Sequence, residues 1–171
     1  MTDSVKPITK KRLENIALYY LGRYESSTAN LRSVLRRRVK KAQMRGADVP
    51  PDADEWIEAV VAQMVHFGYV DDDRYAERQI EKLKAAGKSR RFIEGKLMQA
   101  GVGNQNGLPD DEDDLQSAIC LVKKKKIGFM RDADAQTAFF KKDLAVLARA
   151  GFSYDTAVKA LNVSGGEENG D

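Results

Sequence analysis

The chain has 171 residues, with 29 Lys and Arg, 26 Asp and Glu, one His and one Cys. This length fits one compact domain or a short array of repeats. One cysteine excludes an internal disulfide framework, and one Cys with one His excludes nearly every zinc site built from those ligands. Because the chain has neither a long apolar run nor an apolar signal segment at its start, we expect a cytoplasmic protein without a membrane span.

The net charge of +3 conceals an uneven distribution along the chain. Residues 1–50 carry 12 basic and 4 acidic side chains, whereas residues 51–171 carry 17 and 22. A basic portion beside an acidic one indicates a surface that faces a polyanion, without saying which polyanion.

Helical periodicity dominates the first third of the chain. An apolar stripe from Leu13 to Tyr24 recurs every three or four residues and predicts the first helix. Ser26 or Ser27 can cap a second helix, which carries seven cations between residues 32 and 45. Asp52, three residues before Glu55, predicts a capping box at the start of a third helix.

The same periodicity predicts five further helices downstream. The fourth begins at Asp71 or Asp72, and Ser89 and Ser153 cap the fifth and the eighth. Gly, Asn and Pro predict a loop over 102–114, followed by the sixth and seventh helices. The tail 164–171 has nothing to bury and is expected to be disordered. No segment shows sustained strand alternation, so the predicted class is all-α with eight to nine helices.

The capping serines reveal an internal repeat. Ser27, Ser89 and Ser153 are 62 and 64 residues apart, and apolar residues stand at the same offsets from each. This pattern predicts an elongated array of tandem three-helix repeats. The expected divisions are an N-terminal tail (1–8), repeat 1 (9–69), repeat 2 (70–130), a shortened repeat 3 (131–163) and the C-terminal tail (164–171).

No group of residues in the sequence has the pattern of a catalytic site. His66 stands at the end of the third helix and favours a surface position, while Cys120 lies in an apolar run that predicts a buried, inert thiol. The aspartate runs lack the ligand spacing of an EF-hand, and helix capping explains them better. No nucleotide-binding loop occurs. We therefore expect no enzyme activity, no cofactor and no metal.

The second helix is the most informative stretch for binding. Its cations form rows four residues apart beside the apolar stripe, which favours contact with a polyanion or an acidic protein over an ordinary solvated face. A second basic group surrounds the next serine cap. The run Lys123–Lys126 is better explained as helix-end cations. The candidate surface is Arg32, Arg36, Arg37, Lys40, Lys41, Lys88, Arg90 and Arg91.

Four segments carry a resemblance to a known family. Residues 68–76, Gly-Tyr-Val-Asp-Asp-Asp-Arg-Tyr-Ala, and their continuation to Val102 resemble the central signature of the RecX family, regulators of the bacterial RecA recombinase. Residues 17–35 are similar to the opening element of that family, and residues 147–161 to its closing element. The signature residues are Asp71, Asp72, Arg74, Tyr75 and Ala76.

The resemblance implies a crescent of three three-helix repeats that lodges in the groove of a RecA filament on single-stranded DNA. It further implies inhibition of filament extension, ATP hydrolysis and strand exchange, with effects on the SOS response. The expected partners are therefore RecA and possibly single-stranded DNA, and we expect a monomer. Two alternatives stay open from the residues: a stand-alone nucleic-acid-binding module, and a helical scaffold for an unrelated protein.

Overall fold

A computed structural model describes residues 6–103 and 106–163. These residues form eight α-helices and one short 3-10 helix, with no strand among them, so the predicted all-α class is confirmed. The tail predicted over 164–171 and the first five residues of the predicted tail 1–8 lie outside the described residues. The helices are α1 (Lys10–Leu21), α2 (Thr28–Met44), α3 (Ala53–His66), α4 (Asp72–Ala85), α5 (Arg90–Gln99), α6 (Asp111–Lys125), α7 (Ala133–Ala150) and α8 (Tyr154–Leu161), and the 3-10 helix is Gly128–Met130.

The chain divides into two compact units. One comprises the described residues of Met1–Ala76 and Met98–Asn104, and the other those of Glu77–Leu97 and Gln105–Asp171. In the first unit α1, α2 and α3 pack together around one apolar core. Leu13, Leu35 and Val60 are fully buried there, as the stripes of their helices predict. Each such side chain contributes about 1.5–3 kcal/mol of transfer free energy.

The core of the second unit lies among α6, α7, α8 and the 3-10 helix. Val122, Leu147 and Leu161 are its most buried large side chains. Gly128 packs directly against Leu161, and a Cβ at Gly128 would lie 2.6 Å from Leu161 Cδ2. Any larger residue at this position would collide with Leu161. Glycine therefore lets the turn between α6 and α7 pack closely against α8.

All three predicted serine caps are confirmed. The hydroxyl oxygens of Ser27, Ser89 and Ser153 accept hydrogen bonds from the backbone N–H groups three residues later, at 3.1, 3.2 and 3.1 Å. Ser27 and Ser153 have the extended backbone of an N-cap. All three hydroxyls satisfy one of the unpaired donors of the first helical turn.

A junction within the first unit surrounds the first of these caps. Fully buried Ser27 donates its hydroxyl to the carbonyl of Ala100, while the carboxylate of Asp72 accepts from Thr28 N at 2.8 Å and from Thr28 Oγ1 at 2.7 Å. A Cβ on Gly101 would lie 2.4 Å from the Cβ of Ala29. The start of α2 is therefore held by the first turn of α4 and by the chain that follows α5.

An equivalent junction occurs within the second unit. Fully buried Ser89 donates its backbone N–H to Ala150 O at 3.2 Å, and Arg90 N donates to a carboxylate oxygen of Asp114 at 2.7 Å. A Cβ on Gly151 would lie 2.4 Å from Ser89 Oγ. In both junctions a serine-capped helix meets an aspartate from a helix start and an Ala-Gly pair from a helix end.

Three local predictions about helix ends were wrong. Asp52 makes no capping hydrogen bond, because its ψ of 6° is not the extended backbone that turns an N-cap side chain toward the helix. Helix α1 ends at Leu21, so Tyr24 lies beyond it, packed on Tyr20 at 5.2 Å between ring centroids. The loop predicted to run to residue 114 ends at Asp110, which with Asp113 forms a capping box for α6.

A buried ion pair escaped the sequence analysis. Asp143 on α7 is 2% exposed and accepts from Gly128 N at 3.0 Å and from Arg131 Nε and Nη2 at 2.9 and 3.1 Å. Burial alone raises the pKa of Asp143, but the hydrogen bonds from Arg131 and from Gly128 outweigh it, so the pKa lies below its ordinary value. This carboxylate ties α7 to the 3-10 helix.

Candidate interaction surface

The cations of α2 lie on three different sides of the helix. On the side of α3, Arg32 Nε donates to both carboxylate oxygens of Glu58 at 2.8 and 2.9 Å. Arg36 reaches Glu58 at 3.4 Å and Asp54 at 3.6 Å. Acidic side chains from α3 therefore neutralise Arg32 and Arg36, so these two residues attract an external anion less strongly than an unpaired cation would.

Two other predicted cations, Arg37 and Lys40, lie on the outer side of α2. Both are exposed, and neither forms an ion pair with any residue in 6–103 or 106–163. They are three residues apart and hence adjacent on the helix surface. We call Arg37 and Lys40 the outer pair; they are the predicted residues of α2 best placed to bind an external anion.

A third side of α2 faces α1 across a cavity of about 690 Å³. Lys41 belongs to the predicted surface and lies in this wall, beside Arg38 and Arg45, which the sequence analysis did not select. Helix α1 and the turn after it supply the opposite wall, including exposed Tyr19 and Tyr24. We call this cavity the α1–α2 groove.

The remaining predicted cations cluster around the start of α5 in the second unit. Lys88 Nζ lies 4.7 Å from the ring centroid of Phe92, and Arg90 Nε donates to Glu94 at 2.8 Å. The hydrogen bond and charge of Glu94 raise the pKa of Arg90, which stays fully charged. Arg91 is exposed, and no residue of the described part of the chain forms an ion pair with it.

The five signature residues hold the beginning of α4. Asp71 caps this helix, accepting from Arg74 N at 3.0 Å, while Arg74 Nη2 donates to Gly68 O at 3.3 Å. Asp72 binds Thr28 as described above, and Ala76 is buried. The signature therefore specifies how α4 joins the end of α3 and the start of α2.

Tyr75, the fifth signature residue, is half-buried. Burial raises the pKa of its hydroxyl above the ordinary value, and the nearby negative charges of Glu25 and Asp72 raise it further. The phenol is therefore protonated at neutral pH and available as a hydrogen-bond donor.

One prediction about the potentially reactive side chains was wrong. Cys120 is exposed, so the predicted burial of its thiol was wrong: α6 turns its apolar stripe of Ala118 and Val122 inward and leaves Cys120 outside. His66 is exposed at the end of α3. Among the described residues no group of three His, Cys, Asp or Glu side chains could hold a metal ion. No helix in 6–103 or 106–163 is long and apolar enough to cross a membrane.

Comparison with known proteins decides the family. The chain is 33% identical over 164 residues to a protein of Myxococcus xanthus named regulatory protein RecX, covering 92% of this chain and 88% of that one. The chain belongs to the RecX family. A regulatory protein RecX of Agrobacterium fabrum is 28% identical over 86% of this chain and 80% of its own length. No family model matches the chain.

Solved structures of RecX proteins share this fold. The crystal structure of RecX from Lactobacillus salivarius superimposes with a TM-score of 0.62 at 19% identity, covering 89% of this chain and 94% of that one. A second crystal structure of a regulatory protein RecX gives a TM-score of 0.59 at 20% identity, over 88% and 70% of the two chains. At these identities the structures bear on the fold, and the family rests on the sequence relatives.

Proposed function

We propose that this protein is a cytoplasmic, non-catalytic regulator that binds RecA filaments on single-stranded DNA and limits their growth, ATP hydrolysis and strand exchange. The observation that carries the proposal is its membership of a family whose relatives are named regulatory proteins RecX. We further propose that it acts as a monomer, because a filament already presents many copies of one binding site.

The outer pair is the part of the predicted surface best suited to this contact. Arg37 and Lys40 are exposed, and each carries a charge that no described side chain compensates. Exposed cations next to one another attract acidic protein surfaces and DNA phosphate alike. The second part of the proposed contact surface consists of Lys88, Arg90 and Arg91. Arg91 is exposed, whereas Arg90 forms an ion pair with Glu94.

We further propose that the chain is organised as repeats at 9–69, 70–130 and 131–163. At both junctions an aspartate accepts a hydrogen bond from the backbone N–H that follows the capping serine, and a glycine packs closely against the start of the capped helix. A unit that repeats its docking contacts is suited to following a partner that is itself repetitive.

Co-sedimentation with preformed RecA filaments tests the proposal. The unmodified protein is expected to sediment with the filaments, and Arg37→Glu/Lys40→Glu is expected to weaken this binding at least about tenfold, since it reverses two cations. The matched control is Lys124→Glu/Lys125→Glu, which reverses two exposed cations at the end of α6. Failure of the unmodified protein to sediment with filaments at any concentration would contradict the proposal.

A further inference from the structure

The α1–α2 groove combines cations with exposed aromatic rings, and the proposed contact with RecA filaments does not explain this combination. Five cations line it, and no acidic side chain does so among the described residues. Arg38, Lys41 and Arg45 stand at positions i, i+3 and i+7 of one face of α2 and its end, so their charges follow the length of the groove. The cations are Arg12, Arg23, Arg38, Lys41 and Arg45.

The opposite wall offers flat apolar surfaces to solvent. Tyr19 is 61% exposed and Tyr24 58% exposed, although tyrosines on a three-helix core normally bury most of their rings. The guanidinium of Arg23 lies 4.3 Å from the ring centroid of Tyr19, which holds that ring in place. Asn15, also in the lining, adds an amide that can both donate and accept hydrogen bonds.

Cations spaced along a groove together with exposed rings are the two parts needed to bind a single strand. The cations follow a phosphate backbone, and every base can stack on an aromatic ring whatever its sequence. We infer that the α1–α2 groove binds single-stranded nucleic acid directly, with phosphates on Arg38, Lys41 and Arg45 and bases stacked on Tyr19 and Tyr24.

The groove fits this ligand better than an acidic peptide. A peptide carboxylate would satisfy the cations, but it would leave the two exposed tyrosine rings without a planar partner. A duplex is also a poor fit, because its bases are already stacked on one another and are not available to the rings. The inference does not depend on RecA, so it stands or falls separately from the proposed function.

Binding of fluorescent oligonucleotides to the full chain without RecA tests the inference, at about 150 mM salt, where the Debye length is about 8 Å. The ligands are a 20-base oligo(dT), the same length of oligo(rU), an abasic strand of equal length and polyglutamate. Either oligonucleotide should bind at least about tenfold more tightly than the abasic strand, since base stacking contributes a large share of affinity. The ratio of dT to rU affinity identifies DNA or RNA as the preferred source.

Helices α2 and α6 provide a pair of variants that each remove two exposed cations. Arg38→Gln/Lys41→Gln removes them from the groove, and Lys124→Gln/Lys125→Gln removes them from the end of α6, which belongs to neither the groove nor the proposed filament surface. The groove variant should bind oligo(dT) at least about tenfold more weakly and lower the slope of log K against log salt by about 1.4. The α6 variant should change neither by more than about a fifth of those effects.

The aromatic wall has its own control. Tyr19→Ala/Tyr24→Ala should weaken oligo(dT) binding at least about tenfold and abolish the preference over the abasic strand. Tyr69→Ala, at a ring that is 56% exposed and outside the groove, should leave binding unchanged. Equal affinity for polyglutamate and oligo(dT), or equal losses in the groove and α6 variants, would overturn the inference. Circular dichroism on each variant separates loss of binding from loss of fold.

Discussion

Asp72 holds Thr28 by two hydrogen bonds, from the backbone N–H at 2.8 Å and from the hydroxyl at 2.7 Å. One carboxylate at the start of α4 thereby satisfies an unpaired donor in the first turn of α2, and its charge lies at the favourable end of the helix dipole. Asp114 repeats the contact with Arg90 N at 2.7 Å in the second unit. The two contacts join helices that are far apart in sequence.

Asp72→Ala should therefore lower the free energy of unfolding by about 1–2 kcal/mol, because it leaves the N–H and hydroxyl of Thr28 without their acceptor. Urea unfolding followed by circular dichroism measures the change. Asp48→Ala is the control in the same unit, at an exposed aspartate whose side chain has no hydrogen bond to a described residue. Equal stabilities of the two variants would contradict the structural role of Asp72.

Two glycines with similar backbone angles separate conformational strain from close packing. Gly46 has a φ of +83° with open space around it, whereas Gly151 has a φ of +96° and lies against Ser89 and Phe92. Both alanine substitutions force a left-handed residue, which costs about 1–2 kcal/mol. Gly151→Ala should cost about 1–3 kcal/mol more than Gly46→Ala, because a Cβ there would displace Ser89. Thermal unfolding of the two variants checks the difference.

The buried pair of Asp143 and Arg131 predicts a dependence of stability on pH. Since the folded state lowers the pKa of Asp143, its contribution is fully present above the pKa of an unfolded aspartate, about 3.9. It is lost as the pH falls through the folded-state value. Asp143→Asn should be less stable by about 2 kcal/mol at pH 7, and the difference should shrink in acid.

Urea titrations from neutral to acidic pH measure this effect on the unmodified protein, on Asp143→Asn and on Asp134→Asn. Asp134 lies on the same helix but is exposed, so its substitution should give a pH profile parallel to that of the unmodified protein. A constant difference between Asp143→Asn and the unmodified protein at all pH values would exclude the ion pair as its cause.

Helix content and caps could be predicted from the sequence because they depend on residues close together in the chain. The stripe of α2 and the serine caps at Ser27, Ser89 and Ser153 are examples. Asp143 is the opposite case. It stands four residues before Leu147, on the buried face of α7, and only its tertiary partners Arg131 and Gly128 explain why a carboxylate is buried there.

The sequence predicted one basic surface, whereas the fold places its α2 cations on different sides of that helix. Arg32 and Arg36 meet acids supplied by α3, while Lys41 faces α1. Helical spacing reports which cations are neighbours, but not which helix packs beside them. The exposure of Tyr24 was missed because the predicted stripe of α1 included it, whereas the helix ends at Leu21.

The ATPase activity of RecA on single-stranded DNA, measured against added protein, tests the regulatory role most directly. Substoichiometric amounts of the unmodified protein and of Lys124→Glu/Lys125→Glu should lower ATP hydrolysis, because one bound regulator blocks further growth of a filament. Arg37→Glu/Lys40→Glu should need at least about tenfold more protein for the same effect. Unchanged hydrolysis even at an excess of the unmodified protein would contradict the account, and equal inhibition by all three proteins would exclude the outer pair from the contact.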